Sequence, residues 1–209
     1  MWYVITEGLG TLRQAILGGQ YKHPKGIYFG GFKKEKSTTI FQNLLDKHKK
    51  NYDTFFHLDL HTGYGEQGKL HFFSNTRVSE AHKAMADEMF AGFPIDRGED
   101  KDFYRTSGDI TEFSTRYLEH AGKKIFPMTF EFGTQDSQTL KGSFFSLRSL
   151  IAENQGFHFH SDSKVDLVNI QQDFQSLFNP KDSHWRQKVL QQAHTSLDIL
   201  FYRFGQFPK

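Results

Sequence analysis

Hydrophobic and polar positions alternate most clearly over residues 52–65, which read YDTFFHLDLHTGYG. An aromatic and β-branched run leads into the alternation, and this composition is typical of a buried strand. Because strand side chains alternate between faces, His57, Asp59 and His61 are predicted to share one face. The glycines that follow allow a turn. The pattern predicts polar side chains at the carboxyl end of an apolar strand, where α/β sheets bind ligands; alternatively, His61 only hydrogen-bonds the backbone there.

The rest of the chain alternates between helical and strand periodicities. Helices are predicted over 6–17, 38–49, 79–90, 108–118, 137–154 and 183–204, and strands over 27–29, 69–73 and 124–132. Polar stretches at 94–107 and 156–164 are predicted to be loops. In the helix over 38–49, the expected buried stripe is Ile40, Phe41, Leu44 and Leu45. This order predicts an α/β fold with a mixed, twisted sheet flanked by helices.

Composition narrows the classes of function. The 209 residues suit one α/β domain or a large part of one, and 23 phenylalanines predict an aromatic core. The net charge is only +2, and no basic run is interleaved with aromatics, so a nucleic-acid partner is not expected. Without cysteine, any metal must use histidine, carboxylate or water. Neither a membrane-spanning run nor a signal peptide is apparent, so we expect a cytoplasmic protein without a membrane partner.

A second candidate side chain lies in the apolar segment 124–133. Glu131 is flanked by Phe130 and Phe132, and burying a carboxylate is costly unless it is paired or functional. Desolvation disfavours its charged form, which suits a general base acting on water. In the alternative interpretation, Glu131 faces solvent on an edge strand and the two phenylalanines are the buried pair.

Five segments occur in an order that resembles a known family. They are residues 20–31 (QYKHPKGIYFGG), 59–65 (DLHTGYG), 104–113 (YRTSGDITEF), 129–134 (TFEFGT) and the helix from 183. Together they resemble the zinc carboxypeptidase superfamily, and in particular a bacterial branch described mainly as a domain of unknown function. The first segment is similar to one typical of that branch. The final helix resembles the family's closing helix.

The resemblance implies a role for four residues. His61 would be a zinc ligand, and Glu131 the base that activates zinc-bound water and passes its proton to the leaving amine. Tyr104 would contact the substrate, although it could equally be a plain surface-loop aromatic. Asp59, on the same strand face, would orient His61 from behind.

The chain departs from the family at the zinc site, which requires two histidines and one glutamate. None of the eleven histidines has a glutamate three residues later, so the family's His-x-x-Glu motif is missing, as is its Asn-Arg motif. We therefore expect residues 1–209 to form a single, incomplete domain, the C-terminal half of such an enzyme. Zinc would bind only if the missing ligands were supplied, for example by the missing N-terminal half as a partner.

Local histidines are possible substitutes. His57 lies four positions before His61, about 13 Å away along an extended strand at ~3.3 Å per residue, which is too far to share a metal. His71 on the next strand is a candidate. His158 and His160 are another, if they share one strand face; otherwise they are solvated loop residues.

Two classes of function follow. In the first, the chain is part of a zinc-dependent hydrolase of peptide or amide bonds, with a peptide or an N-acyl amino acid as substrate. A deacylase of the desuccinylase type is a related form of this hypothesis. In the second, the chain is a non-catalytic relative that keeps the fold for binding or assembly.

Overall fold

One mixed sheet organises the computed structural model, which describes residues 18–73, 80–93, 95–96, 108–159 and 164–206. The helices are α1 (Lys36–His48), α2 (Glu80–Met89), α3 (Ile110–His120), α4 (Leu140–Phe159), α5 (Lys164–Phe178) and α6 (Ser183–Gln206). The strands are β1 (Thr54–Gly63), β2 (Leu70–Phe73), β3 (Ile95–Asp96) and β4 (Lys124–Gly133). The helix predicted over 6–17 lies outside the described residues. No helix among those described is both long and apolar enough to cross a membrane.

The strands lie in the order β1-β4-β2-β3. β1 runs parallel to β4, β2 runs antiparallel to β4, and β3 runs parallel to β2. The predicted mixed sheet is therefore confirmed. In this register His61 and His71 lie on either side of Glu131, as its partners on β1 and β2. One transverse row of the sheet thus carries three ionisable side chains.

One face of the sheet forms the hydrophobic core. The even-numbered residues of β4 from Phe126 to Phe132 are buried there against side chains of β2, α2 and α6. The buried cluster is Leu70, Phe72, Met89, Phe90, Phe126, Met128, Phe130, Phe132, Trp185 and Leu200. Five of these ten residues are phenylalanine, as the composition predicted. Tight aromatic contacts hold the sheet to α2 and α6, which leaves the opposite face free for polar side chains.

Helix α3 packs on the polar face. Its N-cap is Asp109, whose side chain accepts a hydrogen bond from the backbone N–H of Glu112 at 2.7 Å. The Glu112 carboxylate in turn accepts one from the N–H of Gly108, the residue before the N-cap, at 2.9 Å. Farther along α3, the Ser114 hydroxyl lies 2.6 Å from Nδ1 of His57. On the polar face of β1, which carries His57, Asp59 and His61, α3 therefore covers the His57 end and leaves the His61 end open.

The predicted buried stripe of α1 is only partly correct. Ile40 and Leu44 are 61% and 49% exposed, whereas Phe41 contacts the rings of His57 and Phe113. α1 packs on α3 and reaches the sheet through the contact of Phe41 with His57, so it buries a narrower face than its apolar periodicity indicated.

Three predicted loops and strands differ from the structure. Residues 156–159 continue α4, and the unpredicted helix α5 follows at Lys164–Phe178. Leu167 and Ile170 of α5 pack against Gly156, whose missing side chain lets the two helices approach. The predicted strand over 27–29 is only an isolated bridge between Gln20 and Phe29, and β3 lies within the predicted loop 94–107.

Candidate functional site

His61 and Glu131 end neighbouring strands and share one face of the sheet. They are register partners in the parallel pair β1–β4, and Nδ1 of His61 lies 3.6 Å from Oε2 of Glu131. This separation is longer than a hydrogen bond but within ion-pair range. The expected meeting of the two side chains is thus present in the structure.

Asp59 fixes the orientation of the His61 ring. Its Oδ2 lies 3.0 Å from Nε2 of His61, two residues along the same strand face. Because Nε2 donates to this carboxylate, Nδ1 is the ring nitrogen directed toward Glu131. The arrangement matches a histidine oriented by a carboxylate behind it, as is common at metal sites.

Two carboxylates raise the affinity of His61 for protons. The hydrogen bond that His61 donates to Asp59, followed by the contact with Glu131, raises the pKa of His61 to about 10, and partial burial acts in the opposite direction. With no metal bound, His61 is therefore an imidazolium ion near neutral pH. The His61 side chain is 51% exposed, so solvent reaches it.

Glu131 is buried at 6% exposure in the central strand β4. The alternative of a solvent-facing glutamate on an edge strand is therefore wrong. Its Oε1 accepts a hydrogen bond from the backbone N–H of Tyr64 at 2.9 Å, which leaves Oε2 on the side of His61. Phe130 and Phe132 are also buried, because β4 is covered on both faces.

His71, the third member of the row, packs against the turn after β1. A side-chain carbon at Gly65 would lie 2.4 Å from Nε2 of His71, and Gly65 has φ +108°, so the ring sits where only glycine leaves room. Nε2 is buried and has no hydrogen-bond partner among the described residues. Burial, together with the charge of Lys69, lowers the pKa of His71, so this ring is neutral.

Comparison with known protein families gives one match. The family model described as "Protein of unknown function (DUF2817)" matches residues 1–192. The chain belongs to the DUF2817 family. No curated protein and no solved structure matched it significantly. Membership in a family of unknown function agrees with part of the sequence-based resemblance.

The DUF2817 fold does not assemble a complete metal site from the described residues. Within them, no group of three histidine or acidic side chains is placed to hold a metal ion, whereas a catalytic zinc needs three protein ligands. Among the described histidines discussed above, His61 is the one whose ring is held by a carboxylate at Nε2, as in many metal ligands, with Nδ1 facing Glu131. The suggested substitutes do not join it: His71 packs on Gly65, and His158 lies on helix α4, not on a strand. His160 and Tyr104 lie outside the described residues.

Sequence reasoning missed two parts of this site. One is the backbone N–H of Tyr64, which holds Glu131. Only the glycines on either side of Tyr64 indicated that the backbone could turn toward a neighbouring strand. The other is Phe178 at the end of α5, whose ring approaches Gly63. The periodic apolar positions of 167–177 could have revealed that helix.

Proposed function

We propose that this DUF2817 protein provides one half of a zinc-dependent amide hydrolase site, with Glu131 as general base and His61 as one metal ligand. The observation that carries the proposal is the direction of the His61 ring. Asp59 occupies Nε2 at 3.0 Å, so Nδ1 is presented beside the buried carboxylate of Glu131. A ligand nitrogen and a base at the same end of the sheet are two of the parts that metal-assisted hydrolysis of an amide requires.

The role of Asp59 is to hold His61 for the metal. Its carboxylate fixes the ring and raises the basicity of the imidazole, as such partners do in metal sites. Nδ1 of His61, in its neutral form, would hold the zinc, and the metal would supply a Lewis acid that acidifies water and polarises the amide carbonyl. Asp59 itself would remain hydrogen-bonded to Nε2 throughout.

Glu131 would move the proton. Its Oε1 is anchored by the Tyr64 N–H, and its Oε2, which faces His61, would accept a proton from the attacking water. The carboxylate would then return that proton to the leaving amine, as a single positioned base can serve both steps. Burial in the central strand keeps Glu131 in place for both transfers.

The remaining ligands would come from a partner polypeptide that carries a His-x-x-Glu segment. Tyr104 would contact the substrate. That substrate would be a peptide or an N-acyl amino acid, and a desuccinylase-type deacylation would use the same base and ligand. The zinc carboxypeptidase resemblance of segments 59–65 and 129–134 supports this class.

A second candidate function is non-catalytic binding or assembly. It is favoured by one observation: the part of the chain that the structure describes has no complete metal-binding group. In that case Asp59, His61 and Glu131 form an ion-paired cluster that stabilises the end of the sheet.

The decisive experiment measures zinc and hydrolysis with and without a complement. We expect the isolated chain to bind zinc poorly and to show no peptidase activity. Addition of a polypeptide that carries the His-x-x-Glu half should restore one zinc per complex, by metal analysis, and release of amine from peptide and N-acyl amino-acid substrates. Glu131→Gln in that complex should abolish hydrolysis and keep the zinc, whereas His61→Ala should lose the zinc.

The matched control is Glu66→Gln, which removes an exposed carboxylate from the loop beside the site. It should leave both readouts unchanged. Loss of zinc in the Glu131→Gln complex would show that Glu131 is a ligand, not the base. A fully assembled complex that neither binds zinc nor hydrolyses any substrate would establish the non-catalytic alternative.

A further inference from the structure

The end of helix α5 is tied to the end of the sheet, next to the candidate site. The last carbonyls of a helix have no partners within the helix, and here three side chains from the sheet end donate to them. The donors are Thr62 to the carbonyl of Phe178 (2.6 Å), Thr134 to that of Leu177 (2.6 Å) and Gln135 to that of Ser176 (3.0 Å). The position of Phe178 relative to β1 and β4 is therefore fixed by hydrogen bonds, not by loose packing.

The Phe178 ring and the Glu131 carboxylate border the same space. A carbon atom placed at the side-chain position of Gly63 would lie 3.7 Å from Cδ1 and Cε1 of Phe178 and 3.8 Å from Oε1 of Glu131. Both distances are ordinary van der Waals contacts. Gly63, with φ +143°, has no side chain, so none stands between the Phe178 ring and the Glu131 carboxylate.

Phe178 presents apolar surface at this point. The residue is 43% exposed, although it lies beside an ionic cluster. Phe174, one turn earlier on α5, supports it from behind with an edge-to-face contact at 5.4 Å between ring centroids. A supported, exposed ring next to a few polar groups is the composition of a ligand subsite, where apolar walls give affinity and polar groups give orientation.

We propose that Phe178, supported by Phe174, is a specificity-determining residue that binds an apolar ring of the ligand next to the group held by His61 and Glu131. The ligand class is an N-acyl amino acid or peptide with an aromatic side chain. The ring of that side chain would cover Phe178 beside Gly63. The choice of an amide ligand rests on the proposed function, whereas the apolar contact rests on the geometry of α5.

Binding of two matched amides to the full chain tests this inference without any need for turnover. N-acetyl-phenylalaninamide and N-acetyl-alaninamide differ only in the phenyl ring. Each is titrated while carbon-13 NMR follows the rings of His61 and Phe178. We expect the phenylalanine amide to bind about tenfold more tightly or better, because its ring loses apolar surface to water on binding, and to shift the signals of both rings.

Variants locate the contact. Phe178→Ala should remove the preference for the phenylalanine amide, and Phe178→Leu should retain part of it. The control is Phe157→Ala, which deletes a phenyl ring that is 72% exposed on α4, and it should keep the full preference. A thermal melt of each variant establishes that the fold is intact.

Two results would overturn the subsite: equal affinity for the two amides, which includes no binding of either, or a preference that survives Phe178→Ala in a folded protein. Failure of hydrolysis in the complemented complex, with the ring preference intact, would count against the proposed function alone. The experiments can therefore contradict the Phe178 subsite without contradicting the proposed hydrolase function, and the reverse.

Discussion

Nε2 of His61 lies 3.0 Å from Oδ2 of Asp59, two residues earlier on the same strand face. Strand geometry brings these side chains to one face, and the parallel neighbour β4 adds Glu131 to the same row. The imidazole therefore lies between two carboxylates, and its proton affinity is the property most sensitive to this arrangement.

Asp59→Asn should lower the pKa of His61 from about 10 toward the ordinary value of 6.5, because the largest of the stabilising contacts loses its charge. An NMR pH titration of the metal-free protein measures this value directly. Asp53→Asn is the control, since it neutralises an exposed carboxylate just before the start of β1. An unchanged His61 titration in Asp59→Asn would show that Glu131, not Asp59, sets the proton affinity.

The same pair predicts a pH dependence of stability. Because folding raises the pKa of His61, its contribution to the free energy of unfolding is fully present below about pH 6.5 and is lost as the pH rises through about 10. Asp59→Asn should weaken the fall in stability within this window. Urea denaturation at a series of pH values measures the difference between the two proteins.

Gly65→Ala should destabilise the protein through His71. The new carbon would lie 2.4 Å from Nε2 of the His71 ring, and the positive φ of +108° adds backbone strain. Strain of this kind costs about 1–3 kcal/mol on its own, so we expect the loss measured by urea denaturation to exceed that range.

The control for this prediction separates the clash from the strain. Gly92 also has a positive φ, +84°, but a side-chain carbon there meets no atom within 4 Å. Gly92→Ala should show the strain alone. The double variant Gly65→Ala with His71→Ala should recover part of the loss; equal destabilisation of the single and double variants would rule out the ring as the obstacle.

The sequence predicted the parts of the site that depend on local alternation. Asp59 and His61 share a face because strand periodicity requires it, and Glu131 follows from an apolar strand that ends in glycine. The hydrophobic pattern could not give the order β1-β4-β2-β3, on which the position of His71 depends. Strand order is set by packing between distant segments, which single-strand periodicity does not report.

Helix α5 was missed for a related reason. The polar, histidine-containing residues before it suggested a loop, although Leu167, Ile170, Phe174 and Leu177 recur at helical spacing. The helix is held in place by distant side chains, such as Thr134 on the carbonyl of Leu177. Phe178 is therefore close to the site only in the folded structure, and sequence patterns alone could not identify it.

Thr134→Val should loosen the end of α5. The Thr134 hydroxyl is fully buried and lies 2.6 Å from the carbonyl of Leu177 and 3.1 Å from that of Gly63. Valine keeps the shape but leaves a buried carbonyl without its donor, at a cost of about 1–3 kcal/mol in the free energy of unfolding. Hydrogen exchange should show faster exchange at the C-terminal turn of α5. Thr39→Val, at an exposed hydroxyl of α1, is the control, and a similar small effect in both would contradict this role of Thr134.

Leu60→Lys should reduce self-association of the chain. β1 is a ten-residue strand that pairs only with β4 among the described residues, and Leu60 on it is 59% exposed. Exposed apolar edge strands promote pairing between molecules, and a lysine at the edge opposes it. We expect the unmodified chain to form dimers or larger species in sedimentation velocity at tens of micromolar, and the variant to shift toward monomer.

Leu190→Lys, at a 63% exposed leucine of α6, controls for added charge and should leave association unchanged. A wild-type chain that is monomeric and unfolds cooperatively would contradict an adhesive β1 edge, and it would favour the non-catalytic function.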